Sequence, residues 1–367
     1  MKKRLKISTK KNILNFLKKN SKKKILIITG KKSFFGSKAN KIFQKYKVIF
    51  KSKSYPEIEE LKSIYFKVKK FSPDIVIAVG GGSVLDYAKI VSILNPENIK
   101  NLNQNIKNNN QISNSKNFNL IAIPTTAGSG AEITSNAVIY INKKKFSFEG
   151  KNLIPDLFFL CPFFVHNNPF KLKASSGFDA ISQSIESILS LRSNKLSLTF
   201  AIKSLKLSVK NYINFLHNKS LDRTTSMVLS SHLSGKAISI SKTIAPHAIS
   251  YPFTSIYGLS HGHAVSLNLE KFLYFNYKNI RFAKKKFDIK RRYKILFQIF
   301  SVKSIKELCH KIKIFKKKAL LHDDYNKLGI NIKKDINNIL AGVNILRLKN
   351  NPIPLKKEDL KKIILNK

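Results

Sequence analysis

A chain of 367 residues that is 43% hydrophobic and 10% aromatic is not disordered, and its length suits two domains or one large one with ample core. The net charge of +49, from 69 Lys and Arg against 20 Asp and Glu, is the balance of a polyanion binder, yet nearly all of the excess is lysine spread along a chain rich in Asn and Ile and devoid of Trp, which is the signature of A/T-biased coding. Two cysteines, Cys161 and Cys309, exclude a disulfide framework, no apolar run approaches the ~20 residues of a membrane helix, and no secretory pattern opens the Lys-rich start, so the expected setting is the cytoplasm.

The first half alternates strands with helices. Residues 24–30 form a short apolar run ending in Gly30, the pattern of a buried parallel strand, and 48–50 form a weaker one. Pro56 opens a charged amphipathic helix through Lys70. Residues 74–79 are the clearest strand and run directly into Gly80-Gly81-Gly82. The Asn-rich stretch 101–117 reads as a surface loop, 120–123 as a strand stopped by Pro124, and 137–141 with the following Lys cluster as a strand and turn. The longest apolar run, 157–165, carries Pro162. Beyond about Phe170 helical periodicity takes over, at 174–191, 196–215 and 224–240. Asn350-Asn351-Pro352-Ile353-Pro354 reads as a turn before a short Lys-rich helix. The expected architecture is an α/β domain over 1–170 and an all-α domain over 171–367.

Four motifs carry chemistry. In Gly80-Gly81-Gly82-Ser83-Val84-Leu85-Asp86-Tyr87-Ala88-Lys89 a strand leads through glycines into a helix, a geometry that brings backbone amides and a helix N-terminus to a pyrophosphate. Its plainer reading is a tight strand–helix turn. Pro124-Thr125-Thr126-Ala127-Gly128-Ser129-Gly130-Ala131-Glu132 gathers hydroxyls and glycines after another strand, where a parallel sheet presents its ligand crevice; it reads equally well as a Ser/Thr-rich cap on a following helix. In Gly177-Phe178-Asp179-Ala180-Ile181-Ser182-Gln183-Ser184-Ile185-Glu186 the residues Asp179 and Gln183 share one helical face, with Glu186 three residues on. Taken alone, Asp179 reads better as a helix cap than as a ligand. Finally His247, His261 and His263 are three of only eight histidines. Pro252 and Gly258 should break the helix between them, so that His247 and His261 come from adjoining helices and converge on a metal.

In this order and spacing the motifs resemble the iron-containing alcohol dehydrogenase family, whose fold is related to those of glycerol dehydrogenase and dehydroquinate synthase. The resemblance runs from residue 25 to the Asn350-Asn351-Pro352 tail. It implies a dinucleotide-binding α/β domain, a helical metal-binding domain, and a metal in the cleft between them beside the nicotinamide. Gly80, Gly81, Gly82, Ser83, Asp86, Thr125, Thr126 and Ser129 would hold the cofactor, and Lys145 resembles a family lysine near cofactor and substrate. The metal, Fe2+ ahead of Zn2+, would be held by Asp179, His247 and His261. The remaining ligand position, a His in the family, is Gln183, whose carbonyl is the weaker donor. Tyr251 stands where many members carry a proton-relaying His, and a tyrosine hydroxyl could donate a hydrogen bond or pass a proton.

A narrower resemblance, to phosphonoacetaldehyde reductases within this family, covers Asp179-Ala180, Gln183, Glu186-Ser187, Gly235-Lys236-Ala237-Ile238, Ser241-Lys242-Thr243, Ala245-Pro246-His247-Ala248, Ser250-Tyr251 and the tail. It implies reduction of phosphonoacetaldehyde to 2-hydroxyethylphosphonate, with Lys242 and Thr243, one helical turn before His247, suited to the phosphonate. The first strand ends Thr29-Gly30-Lys31-Lys32-Ser33 without the carboxylate that many NAD-using members place there, which favours NADPH or dual use over strict NADH. The expected partners are a small aldehyde or alcohol substrate and a second copy in a homodimer, with no specific nucleic acid and no membrane. Two rivals remain: a generic short-chain alcohol or glycerol-type dehydrogenase, and a non-enzymatic polyanion-binding protein on the same fold.

Overall fold

The computed structural model describes residues 7–107, 115–217, 220–283, 287–343 and 345–365. They divide into two compact units, Met1–Asn168 and Pro169–Lys367.

The first unit opens with helix α1 (Lys10–Lys19) and is built on a parallel sheet. Its strands are β1 (Ile25–Gly30), β2 (Lys47–Lys51), β3 (Ile75–Gly80), β4 (Asn119–Pro124) and the two-residue β7 (Leu157–Phe158), in the order β2-β1-β3-β4-β7. β1 and β3 are buried throughout, as their continuous apolar runs require. Their side chains alternate between two cores. Leu26, Ile28, Val76 and Ala78 pack with α3 (Ile58–Phe71) and α4 (Gly82–Ile93) on one face. Ile25, Ile27, Ile75 and Ile77 pack with Ile13, Leu17 and Phe34 on the other, Phe34 coming from α2 (Lys31–Gly36). Strand order reverses between β1 and β3, and in an open parallel sheet that reversal opens a crevice at the carboxyl ends. The glycine triplet sits there, at the end of β3.

Two expectations in this unit change. The Lys cluster after 137–141 is more than a turn: Asn142 and Lys143 adopt φ of 50° and 63°, closing a tight hairpin between β5 (Asn136–Ile141) and β6 (Lys144–Glu149). The Asn-rich stretch is not all loop, since Leu102–Lys107 is helical; the part of that expectation at 108–114 lies outside the described residues.

The second unit is helical. Its first three long helices are α5 (Phe170–Leu189), α6 (Lys195–Leu216) and α7 (Leu221–Ser241). Small residues allow them to pack closely: Gly177 lies under the Tyr212 ring, where a Cβ would come within 2.7 Å. The Tyr212 hydroxyl donates to the Ala174 carbonyl at 2.6 Å, and Ser184, Ser204 and Ser230 bond in a chain across the three helices. Among the helices that follow are α8 (Ala245–Ser255), α9 (His261–Ser266) and, after several more, a four-residue helix α10 (Ile345–Leu348) and α11 (Lys357–Leu365). Among the described residues no helix is long and apolar enough to cross a membrane.

Candidate metal and dinucleotide sites

In the first unit the two loop motifs are laced together. The Thr125 amide donates to the Gly80 carbonyl at 2.9 Å, and Asn168 Nδ2 donates to the Thr125 carbonyl at 2.7 Å. Gly81 is the extended residue before α4, and Gly82 begins that helix. A Cβ on Gly81 would lie 3.3 Å from Thr126 Cγ2, and one on Gly82 3.0 Å from Ser129 Oγ. The glycines therefore keep a close approach of two loops as well as room for a ligand, and the amides of the first turn of α4, Ser83 among them, point at the same crevice end. The second motif does not cap a helix. It runs through bends and turns, with Gly130 at φ +60°, into β5.

Asp86 and Lys89 follow on α4. Burial pushes the Asp86 acid up to about 6, opposed by the Lys89 and Lys145 ammonium groups and by a hydrogen bond from the Val138 amide. Lys145 is thus close to Asp86, carried by β6 opposite Tyr140. Lys89 is fully buried. Its ammonium donates to Thr134 O and Oγ1, both at 2.9 Å, and to Asn136 O at 3.1 Å, which ties α4 to the end of the second loop. Burial lowers its pKa to about 8 despite Asp86 and Glu132.

In the second unit Asp179, Gln183 and Glu186 stand in the interior of α5 on one buried face. Asp179 is the tenth residue of the helix, so it caps nothing. Helix α8 begins at Ala245 with Pro246 in its first turn, where a missing N–H costs no hydrogen bond. Its start is capped from another helix: Glu186 Oε2 accepts from the Ile244 amide at 2.9 Å and from the His247 amide at 3.4 Å. The second oxygen of Glu186 meets His247 Nδ1 at 2.5 Å, and His247 Nε2 lies 3.2 Å from Asp179 Oδ1. Burial would hold the His247 pKa down, but the carboxylates of Glu186 and Asp179 outweigh it and push it up to about 9.

His261 opens α9, its ring 5.2 Å from that of His247 and inclined by 74°. Ligand atoms of Asp179, His247 and His261 all lie within 4.8 Å of one another. Gly262 makes this possible, since a Cβ there would fall 1.9 Å from the Ser175 carbonyl of α5. Two imidazoles and one carboxylate suit Fe2+ or Zn2+ better than an oxygen-seeking Mg2+ or Ca2+, and the Glu186–His247 bond is the outer-shell contact such ligands use. The donor set fits the expected metal.

Several expectations are revised here. Pro252 lies inside α8 and does not end it; the helix runs to Ser255, and the turn to α9 passes Gly258 at φ +70°. Lys242 is not one helical turn before His247. It closes α7 at φ +58°, largely buried, in the joint before α8. His263 turns away from the cluster, its Nε2 donating to the His322 carbonyl at 2.6 Å. Gln183 places its nitrogen, not its oxygen, 3.2 Å from Asp179 Oδ2, while its oxygen accepts from Ser234 at 3.0 Å. Turning the amide over would present the oxygen, and the Ser234 hydroxyl tolerates either orientation because it both donates and accepts. Tyr251 sits one turn after His247 with its ring nearly parallel to that of His261, centroids 6.2 Å apart. Burial raises its pKa, with Arg347, which hydrogen-bonds it, pulling the other way.

Two residues here receive no role from the motifs. Glu186 had a signal: seven residues after Asp179, it returns to the same helical face. Arg347 had none in spacing, being nearly a hundred residues from Tyr251 in sequence.

Residues 7–162 match the iron-containing alcohol dehydrogenase family, and residues 173–367 match its C-terminal domain, described as Fe-containing alcohol dehydrogenase family, C-terminal. Among curated relatives, a phosphonoacetaldehyde reductase of Streptomyces viridochromogenes is 29% identical over 58% of this chain and 55% of its own. A 4-hydroxybutyrate dehydrogenase of Clostridium kluyveri is 28% identical over 57% of this chain and 56% of its own. The chain thus spans about half the length of the curated relatives it matches. A sulfoacetaldehyde reductase from Bifidobacterium kashiwanohense, solved in complex with NAD+, superposes with a TM-score of 0.84 over 98% of this chain and 96% of that one, at 21% identity, a likeness of fold. With both halves matched in order, the chain belongs to the iron-containing alcohol dehydrogenase family.

Proposed function

We propose that the chain reduces a small aldehyde bearing an anionic group, phosphonoacetaldehyde to 2-hydroxyethylphosphonate in the first instance, with a nicotinamide cofactor and a divalent metal. The observation that carries this reading is the cluster of Asp179, His247 and His261 with Glu186 behind it. The three would hold Fe2+ or Zn2+, with Gln183 as a weaker further donor. When bound, such an ion supplies Lewis-acid polarisation of a carbonyl group. When His247 gives up its Nε2 proton, the Glu186 carboxylate keeps hold of the Nδ1 proton, so the freed Nε2 lone pair is the one that would face a metal. Tyr251 keeps its proton at neutral pH because burial raises its pKa, which makes it a hydrogen-bond donor beside His261. Lys242, largely buried in the joint before α8, would add positive charge on the substrate's side without being the group that selects for it.

For the cofactor, Gly80, Gly81 and Gly82 with Ser83 would take the pyrophosphate, and Thr125, Thr126, Ser129, Asp86 and Lys145 would line its path. Gly30 ends β1 and is followed by Lys31, Lys32 and Ser33, with Lys51 opposite it at the end of β2. The residues that follow β1 carry no carboxylate, and the one beside the end of β2, Glu60, is engaged by Ser52 and Lys53 next to Lys51, so NADPH or dual use is favoured over strict NADH. Two relatives have names that support an anionic substrate, a phosphonoacetaldehyde reductase and a 4-hydroxybutyrate dehydrogenase, while others of similar identity are named for uncharged alcohols.

The test is NADPH oxidation by metal-loaded protein with phosphonoacetaldehyde, succinate semialdehyde and propanal. Preference for the charged aldehydes supports the reading. Equal or better use of propanal replaces it with a generic alcohol dehydrogenase, and no reduction of any aldehyde returns the polyanion-binding alternative.

A further inference from the structure

Helix α10 packs on α8, and the residues after it are tied down from several sides. Asn350 Nδ2 donates to the Thr243 carbonyl at 3.1 Å, at the joint before α8. The Asn350 carbonyl accepts from the Leu191 amide at 2.9 Å, and Asn351 Nδ2 bonds Asn276 at 2.9 Å. Arg347, the basic residue of this short helix, is therefore carried on an anchored segment. Its guanidinium hydrogen-bonds the Tyr251 hydroxyl, and the Tyr251 ring lies nearly parallel to that of His261. The Tyr251 side chain thus touches both the arginine, through its hydroxyl, and a histidine of the metal cluster, through its ring.

Among 69 cationic side chains, Arg347 is set apart by chemistry as well as by position. A guanidinium has five N–H donors in a planar fork, so it can hold a phenol and grip two oxygens of a tetrahedral or planar anion together; a lysine ammonium offers only a point charge. A cation fixed beyond Tyr251 is placed for the far end of a short aldehyde whose carbonyl end faces the His261 side of that ring.

We propose that Arg347, held by Tyr251, is the specificity-determining residue that binds the anionic group of the substrate, be it phosphonate, sulfonate or carboxylate. This rests on the anionic-aldehyde reading above and adds the residue that reads the charge. It also gives Tyr251 a second task, holding the guanidinium in place.

The experiment compares wild type with Arg347→Ala, Arg347→Gln and Arg347→Lys as metal-loaded enzymes. Steady-state kinetics are run with phosphonoacetaldehyde, succinate semialdehyde and propanal. Calorimetry measures 2-hydroxyethylphosphonate binding, and metal content is measured alongside. The Ala and Gln variants should lose about 100-fold in the ratio of kcat/KM for phosphonoacetaldehyde over that for propanal, mainly through KM. Binding of 2-hydroxyethylphosphonate should weaken to a similar extent, and the Lys variant should recover about 10-fold. If wild type prefers charged aldehydes and the variants keep that preference within about 3-fold, Arg347 does not read the anion and the inference falls alone. A uniform fall in kcat on all three substrates with KM unmoved also overturns it, leaving Arg347 a support for Tyr251. Should wild type show no preference for charge, the anionic-aldehyde reading itself falls, and this inference with it. If the Ala variant does not fold, the Gln variant supplies the same comparison, with the Lys variant as its partial rescue.

Discussion

Replacing Glu186 with Gln tests how the metal cluster is held. In the wild-type protein His247 lies between two carboxylates, and its pKa of about 9 against an ordinary 6.5 corresponds to roughly 3 kcal/mol of stabilisation of the protonated, metal-free form. The sign follows from a raised folded-state pKa: this stability is fully present below about pH 6.5 and is lost as pH rises through about 9. Glu186 is the largest of the raising causes, so Glu186→Gln should remove much of it and flatten the fall in stability between those limits. The amide can keep its oxygen on the Ile244 and His247 N–H groups only by turning its NH2 toward His247 Nδ1, which must then accept, so the ring proton moves to Nε2. For metal binding two effects compete. Loss of the outer-shell carboxylate weakens the ligand, typically by 10–100-fold in affinity, but a less basic His247 also releases its proton more readily to an incoming ion. The affinity gap between wild type and variant should therefore widen with pH, reaching about 10–100-fold near pH 9. Zn2+ titration against a competing chelator from pH 6.5 to 9, beside denaturant melts of the metal-free proteins, reads both terms. An unchanged Zn2+ dissociation constant at pH 9 together with an unchanged slope of stability against pH would refute the account.

Three further outcomes follow from the same geometry. Gln183→His should tighten metal binding, because an imidazole on that face of α5 is a better donor than an amide; chelator competition with no gain would leave only Asp179, His247 and His261 as ligands. Gly81→Val should raise the dinucleotide dissociation constant at least 10-fold with metal content intact, since its Cβ already meets Thr126 at 3.3 Å and its branches would enter the pyrophosphate path; fluorescence titration with NADPH measures it. Gly262→Ala should destabilise the second unit by about 3 kcal/mol or more and displace His261, because a Cβ 1.9 Å from the Ser175 carbonyl forces α9 off α5; a melting temperature and metal content equal to wild type would contradict that packing.

Local pattern in the sequence was enough for the strands β1 and β3, the glycine loop between β3 and α4, the change to helices after Phe170 and the convergence of His247 with His261, whereas Asp179 joined them only through the family resemblance. Each of these depends on residues near one another in the chain: a run of apolar residues wide enough to bury both faces of a strand, a triplet without side chains, a helical repeat. Tertiary structure decided the rest. The continuous apolar run of β1 could not show that its end lies beside that of β3, because strand order depends on how crossovers pack. Pro252 looked like a helix breaker, yet α8 continues through it. Lys242 looked helical, yet it turns the chain at φ +58°. Above all, the role of Glu186 as the carboxylate that both caps α8 and grips His247 depends on a contact across 61 residues. The meeting of Arg347 with Tyr251 likewise joins a four-residue helix near the end of the chain to the middle of α8. Such contacts leave no periodic trace, because what brings the residues together is the packing of whole helices and not the spacing of side chains along one.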